Sequence, residues 1–369
     1  MRKLIPGILV AFLAAVAACS EAPAPEPEPV AEVAEVEEVV EVAPTGPDRP
    51  ALRERARSVF GELPDEAVSE ANPVTEEKIA LGRALFFDAR FSKNHDVSCN
   101  SCHDLANFGV DGEPTSGGHK GQRGGRNSPT VYNAALHIAQ FWDGRAPDVE
   151  EQAKGPVLNP IEMAMPSEEA VVAVLQSIPG YAPLFAAAFP DDEDPIDYDN
   201  MARAIGAFER RLITADRLDA FVSGQDAALS DEDLAGLVEF LDAGCTTCHT
   251  GPTIGGRLYR KLGAVKPYST EDPGRFEVTG DEADRFVFKV PSLRNIAMTG
   301  PYFHDGSIAS LRQVIRLMAE HQLGMALNDE QVARIETFLG TLTGTVDPEY
   351  IATPELPESG PDTPAPDPS

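Results

Sequence analysis

The chain has 369 residues, with 60 Asp and Glu against 30 Lys and Arg, and a formal charge of −30 at neutral pH. Such a polyanion is repelled by phosphodiester backbones, so nucleic acid is excluded as a partner. Roughly half of the acidic excess lies in the two ends of the chain, where a run of charge is a solvated segment.

In chain order, Met1-Arg2-Lys3 and the apolar run Leu4 to Ala18 read as a secretory signal peptide over residues 1–18, too short to span a bilayer stably. Val16-Ala17-Ala18-Cys19 resembles the lipobox of bacterial lipoproteins, which predicts Cys19 as the lipidated first residue of the mature chain. Ser20 fits the outer-membrane sorting type, so the expected location is the periplasm, tethered to a membrane through lipid alone. Residues 19–50 are a low-complexity mixture of Pro, Ala, Val and Glu, expected as a disordered acidic linker. Fully extended, it reaches about 90 Å at about 3 Å per residue. The following stretch of about 300 residues suits two domains, placed at 51–212 and 213–346, and a second Pro- and acid-rich segment, 347–369, is expected as a disordered tail.

Within the domains, Thr75 is set to cap a helix running to about Phe87, with Ile79, Gly82 and Phe86 on its inner side. Ser230-Asp231-Glu232-Asp233 forms a cap before Leu234, Leu237, Val238 and Leu241 at helical spacing. A further helix is predicted from about Asn328, with Val332, Ile335, Leu339 and Leu342 on one face. No run of period-two alternation is long enough for a substantial sheet, so the fold is expected to be mainly α with long loops.

Cysteine placement carries the chemistry. Apart from Cys19, the cysteines fall in two pairs, each followed at once by histidine: Cys99-Asn100-Ser101-Cys102-His103 and Cys245-Thr246-Thr247-Cys248-His249. Residues three apart share a helical face, so both thiols of a pair can reach the vinyl groups on one edge of a porphyrin, and the histidine follows beneath the iron. The competing reading is structural zinc, but the pairs are far apart, each has its own adjoining histidine, and an exported chain is where haem is attached covalently. Two haem c groups are therefore expected, each in a cytochrome c-like domain, with His103 and His249 as proximal iron ligands.

A haem that only passes electrons is held on both sides, whereas one that does chemistry must open a position. Met318 lies on the helical face Leu311, Val314, Ile315, Met318 and is a sixth-ligand candidate, although a methionine at that spacing is by itself more often core. His119, in the glycine-rich run Ser116 to Gly125, is the other; taken alone, a loop histidine reads as a solvated side chain.

Several segments, in unbroken order from about Asn72 to Thr345, resemble the bacterial dihaem cytochrome c peroxidase family. They are Leu81 to Asp88, Ser128 to Ala134, Phe141-Trp142-Asp143-Gly144-Arg145, Gly155-Pro156-Val157 and Pro301 to Gly306. The resemblance implies that His119 is the dissociable ligand of a peroxidatic haem held by His103, and Met318 the distal ligand of an electron-accepting haem held by His249. It assigns Glu162 as acid/base catalyst and Trp142 to electron passage between the haems. It also brings a calcium ion with ligands at Asn127, Thr299 and Pro301, the latter two through carbonyl oxygens. The implied reaction is reduction of hydrogen peroxide to water with electrons from a small donor, a cytochrome c or a cupredoxin, by a homodimer. Its competitors are a plain dihaem electron-transfer cytochrome and the MauG-like branch that oxidises a partner protein. That branch uses tyrosine at the position of Met318 and lacks the dissociable histidine.

Overall fold

The computed structural model describes residues 47–345 and 347–369. The predicted signal peptide, Cys19 and most of the predicted linker lie outside the described residues. The linker's last positions already belong to a helix, α1 (Arg49–Phe60), with Asp48 as its N-cap and a proline in its first turn.

The remaining helices follow in the order α2 (Glu76–Phe87), α3 (Cys99–Cys102), α4 (Val149–Leu158), α5 (Glu168–Ser177), α6 (Tyr181–Ala188) and α7 (Tyr198–Glu209). Then come α8 (Arg217–Val222), α9 (Asp231–Asp242), α10 (Phe276–Thr279), α11 (Leu311–Met318) and α12 (Asp329–Gly340). The caps expected from sequence are formed. The Thr75 hydroxyl accepts from the Lys78 amide at 3.2 Å, and Ser230 with Asp233, and Asn328 with Gln331, make reciprocal capping boxes. Among the described residues, strand structure is confined to an antiparallel pair, β1 (Tyr259–Lys261) and β2 (Val287–Lys289), in the register Tyr259 opposite Lys289.

Apolar side chains collect in two main cores. The first joins α2, α4, α5, α6 and α7 around Leu81, Phe86, Phe185 and Phe208. The second joins α8, α9 and α12 around Phe221, Leu237, Val332 and Phe338. Helix α1 packs into this second core through Leu52, Ala56 and Phe60, although the sequence division at 51–212 groups it with the first domain.

Each core is built on one close helix crossing. A Cβ at Gly82 would overlap the Ala204 carbonyl oxygen of α7, and one at Gly236 would overlap the Arg334 carbonyl oxygen of α12. Glycine lets both backbone pairs approach, and the apolar faces on either side then close over the crossing.

The tail is a correction to the sequence reading. Residues 347–369 are a strap laid along the first core. Tyr350 stacks on Phe208 at 5.1 Å and donates its hydroxyl to the Phe208 carbonyl at 2.8 Å. Ile351 and Leu356 pack against the same core, Arg83 donates to the Ala352 carbonyl at 2.8 Å, and Arg90 donates to the Ser359 hydroxyl at 2.9 Å. Composition counts prolines and acids, but a few spaced apolar anchors suffice to order a segment whose prolines leave it little entropy to lose.

Candidate active site

The first motif is a single helical turn, α3, fixed by a capping box between Ser98 and Ser101. Its Cys99, Cys102 and His103 line a cavity shared with Pro156 and Glu162 from the end of α4 and the turn beyond it, and with Ile205 and Glu209 of α7. Burial pushes the Cys99 thiol up to about 12 and holds His103 below the usual imidazole range, so both stay uncharged at neutral pH. Neutral thiols and a neutral imidazole suit thioether attachment and iron ligation.

Glu162 faces this cavity, and burial raises its carboxyl above the ordinary value against the opposing pull of Arg145. The glycine-rich loop lies directly on the Glu162 turn. The His119 amide donates to the Glu162 carbonyl at 2.8 Å, and a Cβ at Gly118 would overlap the Ile161 carbonyl oxygen. His119 is buried, and its Nε2 lies 3.3 Å from the main-chain oxygen of Ser369 at the end of the strap. The predicted loop histidine is thus not a solvated side chain.

The second motif begins on a 3-10 turn after α9 and opens onto a cavity of about 240 Å³. Cys245, Cys248 and His249 line it together with Leu311, Val314, Ile315 and Met318 of α11. His249 Nδ1 lies 3.2 Å from the Ile254 carbonyl, which takes up that nitrogen as a donor and leaves Nε2 as the free lone pair. Burial lowers the His249 pKa to about 4, so the ring is neutral and competent to bind a metal. Met318 ends its helix on this cavity, so it is not simply a core residue. An apolar wall with one oriented imidazole and two thiols fits a covalently held, flat macrocycle.

Between the motifs, Trp142 lines the second cavity and donates its indole N–H to the Asn127 carbonyl at 2.9 Å. Its ring meets that of His304 edge-on at 6.4 Å, and buried His304 lies 3.0 Å from the Thr270 hydroxyl and 4.5 Å from the Phe288 ring. Asn127, Thr299 and Pro301 are all among the residues lining this same cavity. They offer neutral oxygens only, and the Asn127 side-chain amide donates to the Glu113 carbonyl at 3.1 Å.

Sequence reasoning missed Glu209, buried in the first cavity and pushed by burial to about 8. In Glu209-Arg210-Arg211 it reads as part of a charge run, and only the rotation of α7 turns it inward. It also missed His137 and Lys289 in the second cavity wall, since no local spacing distinguishes them from solvated side chains.

Comparison with known proteins agrees with this geometry. Residues 76–227 match the family model for di-haem cytochrome c peroxidase. The cytochrome c551 peroxidase of Nitrosomonas europaea is 46% identical over 304 residues, covering 82% of this chain and 90% of that protein. The cytochrome c551 peroxidase of Pseudomonas aeruginosa is 42% identical over 323 residues, covering 86% and 92%. Among solved structures, a MauG-like protein associated with microbial copper homeostasis superposes with a TM-score of 0.70 at 29% identity, over 79% of this chain and 97% of that one. With both attachment motifs opening onto cavities of unlike lining and with relatives matched over most of their length, the chain belongs to the dihaem cytochrome c peroxidase family and is a cytochrome-c peroxidase.

Proposed function

We propose that this enzyme reduces hydrogen peroxide in the bacterial periplasm, at the cavity of His103, with electrons received at the cavity of His249 from a small cytochrome c or cupredoxin. The carrying observation is that Glu162 faces the cavity of the first motif while its backbone carbonyl accepts from the amide of His119. Haem bound at the two motifs would supply the one-electron redox chemistry that the side chains lack. His103 and His249 would each hold one of the two groups, and Met318 would be a further ligand at the second, a thioether that favours the reduced form. His119 sits on a loop with left-handed residues at Lys120 (φ 59°) and Gly121 (φ 69°), and is assigned as the dissociable ligand of the group that His103 would hold. Glu162 takes a proton from the inner peroxide oxygen and returns it to the outer one, so that H2O2, two electrons and two protons become two waters.

Trp142, in the wall of the second cavity, is assigned to electron passage between the haems. Calcium at Asn127, Thr299 and Pro301 would be held by three neutral oxygens with water completing its shell, a weak and exchangeable site. Lipid attachment at Cys19, outer-membrane sorting and a homodimeric state complete the proposal.

Glu162→Gln in protein carrying both haems tests the assignment. Turnover of peroxide should fall about 10²–10⁴-fold while the half-reduced protein still binds small exogenous ligands. Near-wild-type turnover would remove Glu162 from the reaction.

A further inference from the structure

The wall of the second cavity holds a cation with no anion. Lys289, the last residue of β2, is 7% exposed, yet among the described residues its ammonium makes no ion pair. Its Nζ lies 3.3 Å from His137 Nδ1 and has no other hydrogen-bond partner recorded among them. Since an ammonium can only donate, Nδ1 is the acceptor and the imidazole carries its proton on Nε2. That Nε2 is itself buried and without a partner. Burial lowers the lysine to about 8 and, with Lys289 alongside, keeps His137 neutral.

Both groups are held rigidly. The Lys289 amide donates to the Trp142 carbonyl at 2.8 Å, and the His137 ring rests against Gly256, where a Cβ would overlap it. Both line the cavity that contains Cys245, Cys248 and His249, and no Asp or Glu is among its lining residues. An ammonium buried without a counter-charge and an imidazole N–H buried without an acceptor are both costly. The missing anion must therefore come with the molecule that fills the cavity, and a haem carries two carboxylates.

We infer that Lys289 and His137 form the seat of one haem propionate at the second motif, the ammonium and the Nε2–H each donating to its carboxylate. This rests on the reading of the cavity as a haem site. It assigns both residues as positioning residues for the electron-accepting haem, anchored through β2 to the backbone of Trp142. A positive charge beside the propionate offsets the negative charge that reduction adds, so the seat favours the reduced state.

The test is redox titration of holoprotein carrying both haems, compared with Lys289→Met, Lys289→Arg and His137→Phe. Lys289→Met should shift the reduction equilibrium of the second haem about tenfold toward the oxidised form, 59 mV for one electron, with the first haem unmoved. Lys289→Arg should restore most of that shift, a rescue that mere packing would not give. Resonance Raman bands of the propionate should move in both Lys289→Met and His137→Phe. An unshifted potential together with an unshifted propionate band in Lys289→Met overturns the inference. Should that variant not accumulate, an unshifted band in His137→Phe overturns it equally. Neither readout uses peroxide turnover, so an inactive wild type with a normal Lys289 effect would count against the proposed reaction and not against the seat.

Discussion

At the scale of single residues, the first cavity holds two carboxyls that burial treats alike and their neighbours treat differently. Burial, reinforced by Glu150 and only partly opposed by Arg210, pushes Glu209 up to about 8, so it enters neutral pH largely as the acid. Glu162 is raised by burial but restrained by Arg145, whose guanidinium stacks at 3.4 Å over the Phe141 ring. A base catalyst must be deprotonated before it can act, so peroxide kcat/KM should fall as pH drops through the raised Glu162 pKa. Removing the restraint sharpens the point: Arg145→Ala should move that acid limb to higher pH, because the carboxylate form loses its cation. A pH profile in which the limb stays put, or moves down, would show that Glu162 is not the titrating group.

At the scale of elements, the two glycine crossings give each core its own control. Gly82→Ala forces α2 away from α7, and Gly236→Ala forces α9 away from α12, each by overpacking worth about 1–3 kcal/mol. Because α7 carries Glu209 on the first cavity and α9 leads into the second motif, Gly82→Ala should disturb the spectrum of the first haem and Gly236→Ala that of the second. Equal disturbance of both by either variant would mean that the two cores do not respond separately. Of these helices α2, α9 and α12 were legible in sequence because their signals are local: Thr75, Ser230 and Asn328 are caps, and the apolar residues that follow keep one face. The attachment motifs were legible for the same reason. Placement of α1 was not, since Leu52, Ala56 and Phe60 show an apolar face but not which core it meets. The strap was misread because Tyr350, Ile351 and Leu356 are diluted by prolines and acids. Tyr350→Ala should lower stability by about 2 kcal/mol through lost burial and stacking. Faster amide exchange should spread along 347–369, and an unchanged exchange pattern would mean that Tyr350 is not the anchor.

At the scale of the whole molecule, charge decides how the electron donor arrives. The chain carries a formal charge of −30, and part of that excess lies in the strap, which is laid on the first core rather than free in solution. Several exposed carboxylates, among them Glu62, Glu70 and Asp191, have no ion-pair partner recorded among the described residues. A surface of one sign draws in partners of the other by raising the encounter rate far more than the strength of the final complex. The attraction acts over about 10 Å at 0.1 M salt and about 3 Å at 1 M. Donor-dependent turnover with a basic cytochrome c should therefore fall steeply as ionic strength rises over that range, through the apparent KM for donor, while kcat changes little. An artificial neutral reductant should show no such fall, because its encounter owes nothing to the field. If the basic protein donor proved as indifferent to salt as the neutral one, the acidic surface would have no part in delivering electrons, and its charge would serve solubility alone.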